Sequence, residues 1–127
     1  MSVELKICGI NSENIIHTII KCGGCQYLGF VFYSNSPRNL SVEKSKKLTS
    51  IVPKNIKTVA VLVNPNNEFV EKIKDQFDYL QLYDTTPSRV QELKLISIFL
   101  ETRDAFSILF ILIPPARNHS LISILFK

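Results

Sequence analysis

Several common functions are excluded by what this chain lacks. It has three cysteines in 127 residues, Cys8, Cys22 and Cys25. So few, and an odd number, make no disulfide framework, and a reducing cytoplasm is the expected location. Cys22-Gly23-Gly24-Cys25 has the spacing of half a zinc site or of a redox pair. No second pair follows, His17 reads as a partly exposed helix residue between isoleucines and His119 lies far off in sequence, so no metal site is expected. No G-x-G-x-x-G occurs, and Gly23-Gly24 is too short to cradle a phosphate, so it reads as a helix-to-strand turn. No basic stretch precedes a long apolar core at the N-terminus, which argues against a signal peptide. The longest apolar run, Ala105 to Pro115, is interrupted by Ser107. It falls short of the roughly 18–20 residues that a membrane span needs, so no membrane partner is expected. Net charge is only +4. Lys44, Lys46 and Lys47 read as the solvated face of a helix, and no nucleic-acid partner is expected.

What is present is a globular composition, 46% hydrophobic and 20% charged, with enough length for one domain with a real core. The organising stretch runs from Cys8 to Arg38. Val3–Cys8 reads as a strand. Asn11 or Ser12 can cap a helix carrying Ile15, Ile16, Ile19 and Ile20 on one face, stopped by Gly23-Gly24. Gln26–Tyr33 is a second strand, apolar almost throughout, followed by a Ser/Asn/Pro turn through Asn39. Ser41 caps a second helix with Val42, Ser45 and Leu48 inward. Lys57–Val63 is a third strand. A third helix carries Phe69, Val70, Ile73 and Phe77. Asp78–Tyr83 is a fourth strand. Thr86-Pro87 starts a fourth helix running to about Leu93, and Leu95–Leu100 reads as a fifth strand. Alternating strands and helices mean parallel βαβ units; a doubly wound sheet and a (β/α) barrel both fit. Past Thr102 the pattern degrades: one helical turn at 103–106, a sixth strand at Ser107–Ile113, a loop around Pro114-Pro115, then apolar Leu121–Phe126.

Four pieces in order and register resemble the phosphoribosylanthranilate isomerase family of tryptophan biosynthesis. They are Lys6-Ile7-Cys8-Gly9-Ile10, then Leu28-Gly29-Phe30-Val31-Phe32-Tyr33 with Ser36-Pro37-Arg38, Val59-Ala60-Val61-Leu62-Val63-Asn64, and Tyr79-Leu80-Gln81-Leu82. The resemblance implies α/β architecture: an incomplete TIM-type (β/α)8 barrel of strands one to about five or six. It would form one partial domain over residues 1–127, with a degenerate tail at 103–127. The implied activity is an Amadori rearrangement of a phosphorylated aminoaldose to an aminoketose, without metal or organic cofactor. By resemblance Cys8 is the general base, Arg38 binds the anthranilate carboxylate through its planar fork, and Gln81 lines the site. Read on its own, Cys8 would be a small buried hydrophobe. Lys6 shares strand parity with Cys8, so both should face the barrel interior, where an ammonium favours a thiolate.

The departures from the family are equally specific. The family follows the glutamine with Leu-His-Gly; here the chain reads Leu82-Tyr83-Asp84. The family's acid, an aspartate ending strand six, has no counterpart in Ile111-Leu112-Ile113-Pro114, and Asp104 precedes that strand. No general acid is identified, and the phosphate-binding loops of strands seven and eight have no counterpart. The tail reads as a shifted reading frame or a truncation. Three function classes follow: the isomerase acting on a small phosphorylated substrate, a catalytically inactive remnant of it, or a half-barrel module that self-associates through open edges.

Overall fold

The computed structural model describes residues 4–96, 108–111 and 124–126. Strand β1 (Glu4–Cys8) is followed by α1 (Glu13–Cys22), β2 (Tyr27–Phe32), α2 (Val42–Ser50), β3 (Lys57–Val63) and α3 (Asn67–Ile73). A 3₁₀ turn (Lys74–Gln76) leads to β4 (Tyr79–Tyr83) and α4 (Pro87–Ile96). Two further strands are β5 (Ile108–Ile111) and β6 (Ile124–Phe126).

Strands β1 to β4 are parallel and in chain order, and each connection carries a helix, as right-handed βαβ winding requires. Period-two alternation divides each strand between two faces. Leu28, Phe30, Ala60, Leu62, Leu80 and Leu82 face the helices and are all buried. They pack with Ile16, Ile19, Val42, Leu48, Val70 and Ile73 from α1 to α3. Full burial of one such side chain contributes about 1.5–3 kcal/mol. Phe32 meets Phe69 and Phe77 edge-on at 5.5 and 5.6 Å, which ties β2 to α3 and its 3₁₀ extension. The opposite face carries Lys6, Cys8, Gly29, Val59, Val61 and Gln81.

Helix starts are chemically specified. Ser41 Oγ accepts from the Lys44 amide at 3.1 Å, and Asn66 Oδ1 accepts from the Phe69 amide at 2.8 Å. Such caps contribute about 0.5–2 kcal/mol each. At the strands' N-terminal end, the Thr58 amide and hydroxyl both donate to Asp78 Oδ2, at 2.8 and 3.0 Å, locking β3 to β4.

The four-strand arc is an incomplete barrel, and the later segments depart from expectation. Leu95 and Ile96 form the end of α4, not a fifth strand; residues 97–100 lie outside the described residues. The expected strand at 107–113 exists as Ile108–Ile111, but it pairs in parallel with β1. Ile124–Phe126 pairs antiparallel with β4, against the all-parallel expectation. The sheet order is therefore β5-β1-β2-β3-β4-β6. Both edges of the arc present open backbone groups, and apolar tail segments satisfy them. The helical turn at 103–106, Asp104, the Pro114-Pro115 loop and His119 lie outside the described residues. In α1 the expected face of four isoleucines is narrower. Ile16 and Ile19 are buried, while Ile15 and Ile20, on the flanks of the 3.6-residue period, are each 38% exposed.

Candidate active site

The C-terminal ends of β1 and β2 are built around two glycines. Gly9 follows Cys8 with φ +86°, a left-handed conformation that suits glycine. Its amide and that of Ile10 both donate to the Gly29 carbonyl at 3.0 Å, so the turn after β1 is pinned to β2. A Cβ on Gly9 would run into Arg38 Cδ; the arginine stem lies across this glycine. A Cβ on Gly29 would sit 2.8 Å from Cys8 Sγ and 3.1 Å from Lys6 Nζ. The space that a side chain would fill is taken by the thiol and the amine.

Lys6 is 1% exposed, and Nζ donates to Gln81 Oε1, itself fully buried, at 2.7 Å. Burial pushes the Lys6 amine below its ordinary value. The neighbouring Cys8 opposes this through charge and a hydrogen bond, and burial prevails. Gln81 Nε2 in turn donates to the Tyr83 hydroxyl at 2.8 Å. The polar groups therefore run in one connected row, Cys8–Lys6–Gln81–Tyr83, from the first strand of the arc to the fourth.

The three residues expected at the site share this setting. Cys8 is half-buried at the last position of β1, Arg38 lies over the next residue, and Gln81 joins β4 to Lys6. In the sequence Lys6 is only a charge near the thiol, and Tyr83 only a departure from the family pattern. Strand parity with Gln81 was the signal that places Tyr83 in the row. The Gly-to-Asp departure is also legible: Asp84 has φ +55°, a left-handed position that aspartate tolerates better than most residues.

Other candidates stand apart. Cys22 is exposed and Cys25 is buried, and burial raises the Cys25 thiol above its ordinary value. Among the described residues no group of three or more His, Cys, Asp or Glu side chains could hold a metal ion. His17, Lys44, Lys46 and Lys47 are solvent-exposed. No helix among the described residues is long and apolar enough to cross a membrane.

The profile of the family described as N-(5'-phosphoribosyl)anthranilate (PRA) isomerase matches residues 5–107. The chain belongs to the phosphoribosylanthranilate isomerase family. The N-(5'-phosphoribosyl)anthranilate isomerase of Parvibaculum lavamentivorans is 39% identical over 97 residues, 74% of this chain and 45% of that protein. The Rhodospirillum centenum isomerase is 36% identical over 93 residues, 71% of this chain and 43% of the relative. The chain thus spans less than half the length of these curated relatives. Among solved structures, phosphoribosylanthranilate isomerase from Thermotoga maritima superposes with a TM-score of 0.69 at 26% identity, covering 74% of this chain and 47% of that one. A phosphoribosylanthranilate isomerase bound to reduced 1-(o-carboxyphenylamino)-1-deoxyribulose 5-phosphate matches with the same score and identity, over 74% of this chain and 50% of that one. The match spans about half the length of these isomerase neighbours, as an incomplete barrel should.

Proposed function

We propose that this chain carries the base-bearing half of a phosphoribosylanthranilate isomerase site and binds the phosphorylated aminoaldose and aminoketose of that reaction. The observation that carries the reading is the match of the isomerase profile to residues 5–107. It is supported by a thiol and a buried amine crowded over Gly29, with the Arg38 stem lying over Gly9, the residue after Cys8.

In the Amadori rearrangement an acid protonates the ribose ring oxygen. The C1–O bond breaks with its electron pair, and the nitrogen lone pair forms the Schiff base. A base then removes the C2 proton, and the C2–H pair neutralises the iminium. Cys8 is proposed as that base. The Lys6 amine lies beside it, over the same glycine. Arg38, over the turn that follows Cys8, would hold the anthranilate carboxylate, and Gln81 keeps Lys6 in place. The reaction calls for no metal or organic cofactor.

The whole of residues 1–127 is proposed as one partial-barrel domain with a degenerate tail at 103–127, working in the cytoplasm. A second reading is a catalytically inactive remnant. It is favoured by the sequence after the strand at Ile108–Ile111, where Leu112, Ile113 and Pro114 offer no proton donor. The third is a half-barrel module that self-associates through open edges; in it the pairing edges would be those of β5 and β6, the outer strands of the sheet.

Complementation of a tryptophan auxotroph lacking this isomerase, with and without Cys8→Ala, separates the first two. Growth that depends on Cys8 establishes the isomerase. Absence of growth, together with ligand binding that depends on Arg38, establishes the remnant. Failure of both overturns the proposed ligand class.

A further inference from the structure

Two nucleophiles share one space in this chain, and the function proposed above uses only one of them. A methyl group on Gly29 would fall 2.8 Å from Cys8 Sγ and 3.1 Å from Lys6 Nζ. Thiol and amine therefore converge over the same glycine, and they hydrogen-bond to each other. The strand explains the convergence. Residues two apart in β1 stand on one face, and lysine has a flexible four-carbon stem with which to reach the sulfur. Gly29 stands opposite Cys8 on the neighbouring strand, and its missing side chain leaves room for both groups. Cys8 is half-buried, whereas Lys6 is buried.

A thiol in this setting has a defined fate on oxidation. Hydrogen peroxide turns a thiol into a sulfenic acid, whose sulfur condenses with a second thiol or with a nitrogen. Neither other cysteine is placed to supply the thiol. Cys25 packs in the core on the helix face, and its Sγ donates to the carbonyl of Tyr27, the first residue of β2, at 3.2 Å. Cys22 ends α1 and is exposed. Both lie toward the strands' N-terminal end, whereas Cys8 is the last residue of β1. The backbone nitrogen next in line, that of Gly9, is delocalised into its peptide bond and donates to the Gly29 carbonyl at 3.0 Å. The Lys6 amine is already in contact. Burial favours its neutral form, and negative charge on Cys8 opposes this. Oxidation to sulfenic acid removes that charge, so the neutral amine gains as the sulfur becomes electrophilic. A neutral amine keeps two protons, enough for Gln81 Oε1 and one further acceptor, and turns its lone pair to sulfur.

We infer that Cys8 and Lys6 form a site of reversible oxidative modification, closing to a sulfur–nitrogen crosslink, a sulfenamide, when the chain meets hydrogen peroxide. In the first step an S–O bond forms and the peroxide O–O bond breaks; the departing hydroxide leaves as water with the thiol proton. In the second, the Lys6 nitrogen attacks sulfur. The S–N bond forms, the S–O bond breaks, and hydroxide leaves as a second water with an amine proton. Sulfur gives up two electrons, the peroxide takes them, and the chain loses two hydrogens. Two equivalents of an external thiol return the cysteine and the amine and form one disulfide. The consequence for activity rests on the function proposed above: the linked sulfur is no longer a base, and it is kept from irreversible oxidation to sulfinic acid.

The test treats the full chain with a small excess of hydrogen peroxide and reads it by intact mass and tryptic mapping, with and without dithiothreitol. The expected product is lighter by about 2 Da, the two hydrogens lost. It should map to a peptide in which trypsin no longer cuts after Lys6, and dithiothreitol should restore both mass and cleavage. Lys6→Met should instead hold a sulfenic acid that a 1,3-dione probe captures, passing on to a sulfinic acid about 32 Da heavier that dithiothreitol does not reverse. Where Lys6→Met does not fold, the wild-type map decides alone. Sulfenic or sulfinic acid at Cys8 with Lys6 still cleaved overturns the inference, and so does a loss of about 2 Da that maps to a disulfide. The mass reading does not depend on turnover. A link that forms in a chain unable to complement the auxotroph upholds the inference and sinks the function; growth that depends on Cys8, with no link formed, does the reverse.

Discussion

Lys6 Nζ donates to Gln81 Oε1 at 2.7 Å, although the two residues stand on strands separated by two others. Neighbouring strands lie about 4.8 Å apart, so a flat sheet would hold β1 and β4 roughly 14 Å from each other. Side chains that stand upright on such a sheet do not meet. The contact therefore requires a sheet curled toward Lys6 and Gln81, with both on the concave side. The curvature of a barrel is already present in four strands, and the site occupies its hollow.

Lys6 links this contact to pH. Burial lowers the folded-state value of its amine below the ordinary 10.5. Between the two values the unfolded chain holds the proton more tightly, so unfolding takes up protons and stability rises with pH. Below the folded value this contribution is lost. Wild-type urea midpoints should therefore climb as pH is raised toward 10.5. Lys6→Met should flatten that climb. It should also destabilise at its upper end, because Gln81 Oε1 is left buried without its donor, at a cost of about 1–3 kcal/mol. Parallel slopes for the two proteins would show that Lys6 is not the group responsible.

Tyr27 acts in the opposite sense at higher pH. Burial, aided by the bond from its hydroxyl to Glu4 Oε2 at 3.0 Å, pushes the phenol up to about 12. A raised value gives stability that is fully present below the ordinary tyrosine range and is lost as pH rises toward 12. The difference in midpoint between wild type and Tyr27→Phe should shrink from pH 9.5 to pH 11.5. A constant difference across that interval would contradict the assignment.

Much of this was legible in the chain and some was not. Lys57–Val63 could be read residue for residue as a strand, because an apolar run bounded by Pro53 and Asn64-Pro65 leaves no other register. The inward set of α2, Val42, Ser45 and Leu48, follows from helical spacing alone. Cys8, Arg38 and Gln81 came from pattern resemblance, and neither composition nor periodicity would have selected them. The assignment of Leu95 and Ile96 to a strand is overturned because a short apolar run has no periodicity of its own, and α4 extends through both; the rest of that expected strand lies outside the described residues. Pairing partners were beyond reach. Nothing in Ile108–Ile111 says that it will lie beside β1 rather than beside β4, since any apolar strand can satisfy an open edge.

Gly29 is where the site and the fold constrain the same atom. An added Cβ would fall 2.8 Å from Cys8 Sγ and 3.2 Å from Cys8 Cα. The backbone contact cannot be relieved by rotating a side chain. Gly29→Ala should destabilise the protein by about 1–3 kcal/mol, as overpacking does, and should push the thiol out of its place beside Lys6. Thermal unfolding gives the first quantity, and the rate of Cys8 alkylation in the folded protein gives the second. An unchanged midpoint with an unchanged alkylation rate would mean that the two strands are less closely apposed than described.

The last prediction concerns the edges of the arc. β5 pairs with Glu4, Leu5, Lys6 and Ile7 of β1, and β6 pairs with Leu80, Gln81 and Leu82 of β4. A closed barrel has no edges, and an arc of four strands has two. Here both are covered by segments drawn from a region with little resemblance to the family. The property that matters in those segments is apolar, extended backbone, which any sheet edge will accept. A chain that stops at Ile96 keeps α4 and the whole site but uncovers the edges. It should self-associate, with a light-scattering mass that rises with concentration, and its β1 and β4 amides should exchange faster than in the full chain. A truncated protein that stays monomeric, with unchanged exchange in those two strands, would show that the tail pairing contributes nothing in solution.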